Sequence, residues 1–134
     1  MSAFSDFSEQ KVLNALLRKT AWTTLGDPYI GLHTSASGPG DTGANEITGN
    51  GYTRKLAAFS APTEDGVGYK CVTSADVLFP VATGSTWGEI GYISVWNAET
   101  EGNCLFVAAI TVPKTIGVGD QLKFTAGDIA IKLE

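Results

Sequence analysis

From Trp87 to the C-terminus the chain alternates short apolar runs with turn-forming residues, and this pattern leaves it few ways to fold. The runs Ile90–Trp96, Cys104–Thr111, Leu122–Phe124 and Ile129–Leu133 are rich in β-branched and aromatic side chains, which suit the pleated, half-buried or buried surface of a sheet. Upstream, Tyr29–Thr34 alternates as a strand after the Asp27-Pro28 break. Tyr52–Phe59, Tyr69–Thr73 and Val77–Phe79 read as further strands, with a turn over Pro62–Gly68. A single sheet of these roughly eight strands would leave an apolar face in water, so the expected fold is all-β, a jelly-roll-like β-sandwich.

One segment breaks the pattern. Residues 4–19 form the chain's helix candidate. Asp6 and Glu9 suit an N-cap and its capping partner, and Arg18 and Lys19 suit the negative end of the helix dipole. Val12, Leu13, Leu16 and Leu17 make one apolar stripe, which calls for a packing partner. Docking onto the chain's own sandwich is the preferred reading, and docking onto a neighbouring subunit the alternative. Residues 35–51 hold Gly38-Pro39-Gly40, Gly43 and Gly49-Asn50-Gly51, too many turn formers for regular structure. Loops of this length usually bind something or reach a neighbour. Pro39, Asp41, Asn45 and Asn50 are therefore candidate interaction residues, together with the helix stripe and with Trp22, which lies between the helix and the first strand.

The 134 residues suit one domain, 1–134, large enough to bury a core. Only 17% of them are charged while 43% are hydrophobic, few charges for an isolated monomer, which points to surface buried in an assembly. The net charge is −5 and scattered, so no basic stripe exists to neutralise phosphate, and neither nucleic acid nor an anionic membrane is an expected partner. No basic start followed by an apolar run marks a signal peptide, and no apolar run is long enough to span a bilayer. Cys71 and Cys104 fall in separate strands without CxxC spacing and read as free, buried thiols, although a disulfide between facing strands stays open.

Residues that carry chemistry are scarce. His33 is the one histidine, on an early strand, and no G-x-S-x-G elbow accompanies the serines, so it reads as a hydrogen-bonded strand residue rather than a general base. Asp41-Thr42-Gly43 matches the aspartic-protease tripeptide, but glycines and Pro39 surround it where those enzymes have a hydrophobic strand, so it reads as a turn. The glycine pairs at 49/51, 66/68 and 117/119 lack the strand-before, helix-after context of a phosphate cradle. Asp120 and Asp128 follow glycines without a calcium-loop pattern and read as turn aspartates. Most of the tryptophans and tyrosines lie inside strand patterns, which favours core packing over a sugar-stacking platform. No catalytic residue, metal site or cofactor is expected.

Several segments, in order, resemble a known group. Phe4–Asn14, Tyr29–Ser35, Gly51-Tyr52-Thr53-Arg54, Phe79-Pro80 with Ser85-Thr86-Trp87-Gly88, and Pro113–Ile116 followed by Gly119-Asp120 and Ala126-Gly127-Asp128 resemble small tailed-bacteriophage virion proteins. These are often labelled tail fibre proteins and are similar in size and ordering to jelly-roll capsid cement or decoration proteins. The resemblance implies a non-enzymatic virion component, assembled in the host cytoplasm. A receptor-binding fibre needs a trimeric stalk, a coiled coil or a β-helix, and none is visible, so a capsid cement protein is the preferred expectation. Its partners would be the major capsid protein and copies of itself, as a dimer or trimer. A tail-tip component engaging tail proteins is the first alternative, and a jelly-roll module binding host-surface glycan the second.

Overall fold

The structure, a computed structural model, describes residues 2–22 and 26–133. The last residue of the alternating C-terminal stretch, Glu134, lies outside the described residues. In chain order the elements are β1 (Ser2–Phe4), α1 (Asp6–Leu17), β2 (Tyr29–Thr34), β3 (Lys55–Leu56), β4 (Thr63–Asp65) and β5 (Gly68–Val72). They continue with β6 (Val77–Leu78), β7 (Gly88–Trp96), β8 (Cys104–Ile116), β9 (Lys123–Phe124) and β10 (Ala130–Leu133). All pairings are antiparallel, in a five-stranded sheet β1-β8-β7-β2-β3, a three-stranded sheet β10-β5-β4 and a two-stranded sheet β6-β9.

The core forms where the sheets face one another. Ile30 and Leu32 of β2 and Ile90, Ile93 and Val95 of β7 meet Val77 of β6, Ile131 of β10, and Phe79, Trp87, Leu122 and Ile129 from the connections, all buried. This clustering makes the fold a sandwich and removes the apolar faces from water. Strand parity alone would not place both Ile90 and Ile93 inward. His33 pairs with Tyr92 whereas Thr34 pairs with Ile90, so Gly91 is an extra residue whose bulge resets the alternation. A Cβ on Gly91 would lie 2.8 Å from the Ser35 Cα, which is why the bulge carries glycine.

Ten strands are present among the described residues, two more than expected. β1 precedes the expected helix and overlaps it only at Phe4; it pairs with β8, and Phe4 stacks on Phe106 at 5.1 Å. β4 lies in the expected turn and forms a hairpin with β5 through Gly66, at φ 70°. The expected strand 52–59 narrows to two residues, and β8 outruns its expected end at Thr111 by swelling outward. Ile90 pairs with Lys114 and Tyr92 with Ala109, so residues 110–113 loop out at Pro113, which has no N–H to donate.

The helix differs in two respects. Its N-cap is Ser5 rather than Asp6, the Ser5 hydroxyl accepting from the Ser8 N–H at 3.2 Å and donating to the Cys104 carbonyl. The expected docking of the stripe onto the chain's own sandwich is also overturned. Ser8 is the buried residue of α1 and Val12 is half-buried, but Leu13, Leu16 and Leu17 are 58%, 75% and 76% exposed. The first turn is tied to β8 and to the Asp41 carbonyl, which receives the Asp6 N–H, and the remaining turns project from that anchor.

Candidate functional site

The five-stranded sheet has a second face, and its chemistry is polar. Gly31 and His33 of β2, Ser94 and Trp96 of β7 and Cys104 of β8 occupy the positions that alternate with the core residues. The 35–51 segment covers them. Ile47 N–H donates to the Leu32 carbonyl, His33 and Glu46 form a β-bridge, and the Asp41 carbonyl holds the start of α1. Gly31 and Gly43 allow this approach: a Cβ on Gly31 would lie 2.7 Å from Glu46 Oε2, and one on Gly43 2.7 Å from Trp96.

Arg54 closes the layer. Its Nε and Nη2 grip both Glu46 oxygens at 2.8–3.1 Å, and its Nη1 donates to the Ala98 and Glu101 carbonyls at 3.0 and 2.7 Å. The guanidinium also lies over the Trp96 ring, 3.7 Å from its centroid. The Tyr52 hydroxyl donates to Glu46 at 2.6 Å and accepts the Leu32 N–H at 3.0 Å. Burial first, then the bond to Glu46, raises the Tyr52 phenol above its ordinary pKa.

Beneath Arg54, Ser94 Oγ lies 2.7 Å from His33 Nε2 and accepts the Trp96 indole N–H at 2.6 Å. A serine against a histidine near a carboxylate resembles a nucleophile with its base. Here, however, both His33 and Ser94 are fully buried, and Glu46 binds Arg54 and Tyr52 instead of orienting the imidazole. A substrate has no route to the hydroxyl. Burial lowers the His33 pKa, with Arg54 adding to the effect, while Glu46 and the Ala44 and Asn45 backbone oppose it. Burial likewise pushes the Cys104 thiol up to about 12. The cluster is a clamp that fastens the long loop to the sheet.

The sequence-derived candidates separate on this frame. Pro39 is buried, Asp41 is exposed with its carbonyl on α1, and Asn45 and Asn50 are exposed at positive φ. The Asn50 carbonyl accepts the Trp87 indole N–H at 2.9 Å, so this end of the loop is also fixed to the core. Trp22 is half-buried and meets Phe7 edge-on at 6.4 Å. Asp120 and Asp128 are turn residues, accepting the Gly117 and Thr125 N–H groups. Cys71 and Cys104 are free, in different sheets. Glu46, Arg54, Ser94 and Trp96 escape sequence reasoning, because they meet through sheet register and share no local motif.

What the molecule offers its surroundings is therefore surface: the leucines of α1, and an apolar groove between the five- and three-stranded sheets. The groove, of about 370 Å³, is lined by residues that include Phe59, Tyr69, Cys71, Leu105, Phe106 and Leu133. No described helix is long and apolar enough to cross a membrane. Comparison with known families puts the chain among the structural proteins of tailed-phage virions. The family model for podophage GP4 fiber I protein gp80 matches residues 3–132, nearly the whole chain, and the chain belongs to that family. No curated protein sequence matches it.

Proposed function

We propose that the protein is a non-enzymatic component of the phage's tail-fibre apparatus, acting in host adsorption through its contacts with other virion proteins. The match to a fibre protein family over residues 3–132 carries this reading, since it takes in the clamp, the sandwich and α1 together. The buried Ser94–His33 pair supports a structural role, and the exposed leucines of α1 support a docked one. α1 is only 12 residues long, too short for a stalk, so the chain works mounted on other subunits.

Cryo-EM or immunogold localisation on intact particles tests the proposal. Density or label at the tail, with slowed adsorption when the gene is deleted, is the expected result. Label in many copies over the shell would overturn it in favour of a capsid cement protein bound to the major capsid protein.

A further inference from the structure

The molecule carries an apolar ridge and an apolar groove that its own fold leaves apart. Leu16 and Leu17 project from α1, while the groove presents Phe59, Leu105 and Phe106 in its walls with Tyr69 and Leu133 exposed at its margin. Charge follows the same division. Arg18 and Lys19, beside the two leucines, have no carboxylate within salt-bridge distance among the described residues. Across the three-stranded sheet Glu64 pairs in register with Tyr69, so its side chain stands on the groove side, and no described cation lies within salt-bridge distance of it. Asp65, next to it, is already taken by Lys70 and Lys132.

We infer that the occupant of the groove is a second copy of this chain, whose α1 leucines enter it with Arg18 and Lys19 set against Glu64. One such contact covers the leucines of α1 and the groove together and sets two cations against a carboxylate. It is heterologous, so repeated copies close into a ring or continue head to tail. The inference deepens the fibre reading by naming the partner of α1, but its test needs no virion, so a tail location and self-association succeed or fail separately.

Two purified variants carry the test. Leu16→Gln with Leu17→Gln removes the ridge, and Tyr69→Gln with Leu133→Gln removes the groove margin; all four residues are exposed, and circular dichroism checks that each variant is folded. By light scattering the wild-type chain is expected at a multiple of its 14.0 kDa mass, and each variant alone at 14.0 kDa. The two variants mixed are expected to pair at twice that mass, since the mixture retains one intact ridge and one intact groove. Oxidation of a Leu17→Cys variant is expected to give a covalent ladder that Cys71→Ser abolishes. A monomeric wild-type chain at millimolar concentration, or variants that fail to pair while the wild type associates, would overturn the inference.

Discussion

Arg54 is the residue on which the outer layer depends. It is 8% exposed, and its guanidinium satisfies Glu46, two carbonyls and the Trp96 ring at once. Removing one partner of a buried pair leaves the other charge uncompensated, which costs about 3–5 kcal/mol. Arg54→Ala is therefore expected to lower unfolding free energy by that amount in urea titration, a large share of the roughly 5–15 kcal/mol typical of a domain. Arg54→Lys keeps the charge but loses the two-pronged grip, and is expected to fall between. His33 adds a pH dependence. Its folded pKa lies below its ordinary value, so from about pH 6.5 downward the unfolded chain binds more protons than the folded one. The stability contributed by neutral His33 is thus complete above that range and lost as pH falls toward the folded value. Melting temperatures followed from pH 7.5 to 5.5 are expected to drop, and His33→Asn to flatten that dependence. Burial separates the thiols: at pH 8 a thiol reagent is expected to label half-buried Cys71 in the native protein and Cys104, buried and with its thiol pushed up, only after denaturation, as mass spectrometry of the labelled peptides would show.

At the scale of elements, α1 ends on a residue ill suited to its position. Lys19 follows the C-cap at φ 57°, in the left-handed region that glycine occupies without steric cost, while the Thr20 N–H closes the helix on the Asn14 carbonyl. Lys19→Gly is expected to stabilise the protein by roughly 0.5–1 kcal/mol, read as a rise of about 2–4 °C in Tm. The elements also show what was legible beforehand. β2 and β5–β10 announce themselves because runs rich in β-branched and aromatic residues stand between turn formers. β1 and β4 do not, since three residues are too few to show a pattern and each edge strand is fixed by its partner, the distant β8 for β1 and the adjacent β5 of a hairpin for β4. The apolar stripe of α1 was legible, but its destination was not, because periodicity states that a face is apolar and not what covers it. The clamp was invisible for a related reason. Glu46 and Ser94 are polar residues in unremarkable contexts, brought together by register across β2 and β7 and by the fold of the long loop.

The whole molecule divides its labour between its two sides. The clamp, the bulge at Gly91 and the apolar core all serve to make one rigid body, and none of them needs the outer turns of α1. If those turns exist for assembly, stability and incorporation into the virion must respond differently to substitution there. Surface changes away from structural features shift stability by about 0.5 kcal/mol or less, and glutamine is a good helix former. Leu13→Gln with Leu16→Gln, at residues 58% and 75% exposed, is therefore expected to leave Tm within about 2 °C of the wild type. Burying one leucine is worth roughly 1.5–3 kcal/mol, and repetition over many copies in a particle multiplies the effect of losing it. Phage carrying this variant are thus expected to contain less of the protein, measured by quantitative mass spectrometry of purified particles, and to adsorb more slowly. Arg54→Ala should do the reverse in the test tube: it destabilises the isolated chain while leaving the α1 surface intact. A leucine variant that melted early would show that α1 holds up its own sandwich after all. One that melted normally and entered particles at wild-type copy number would remove the helix from the assembly surface.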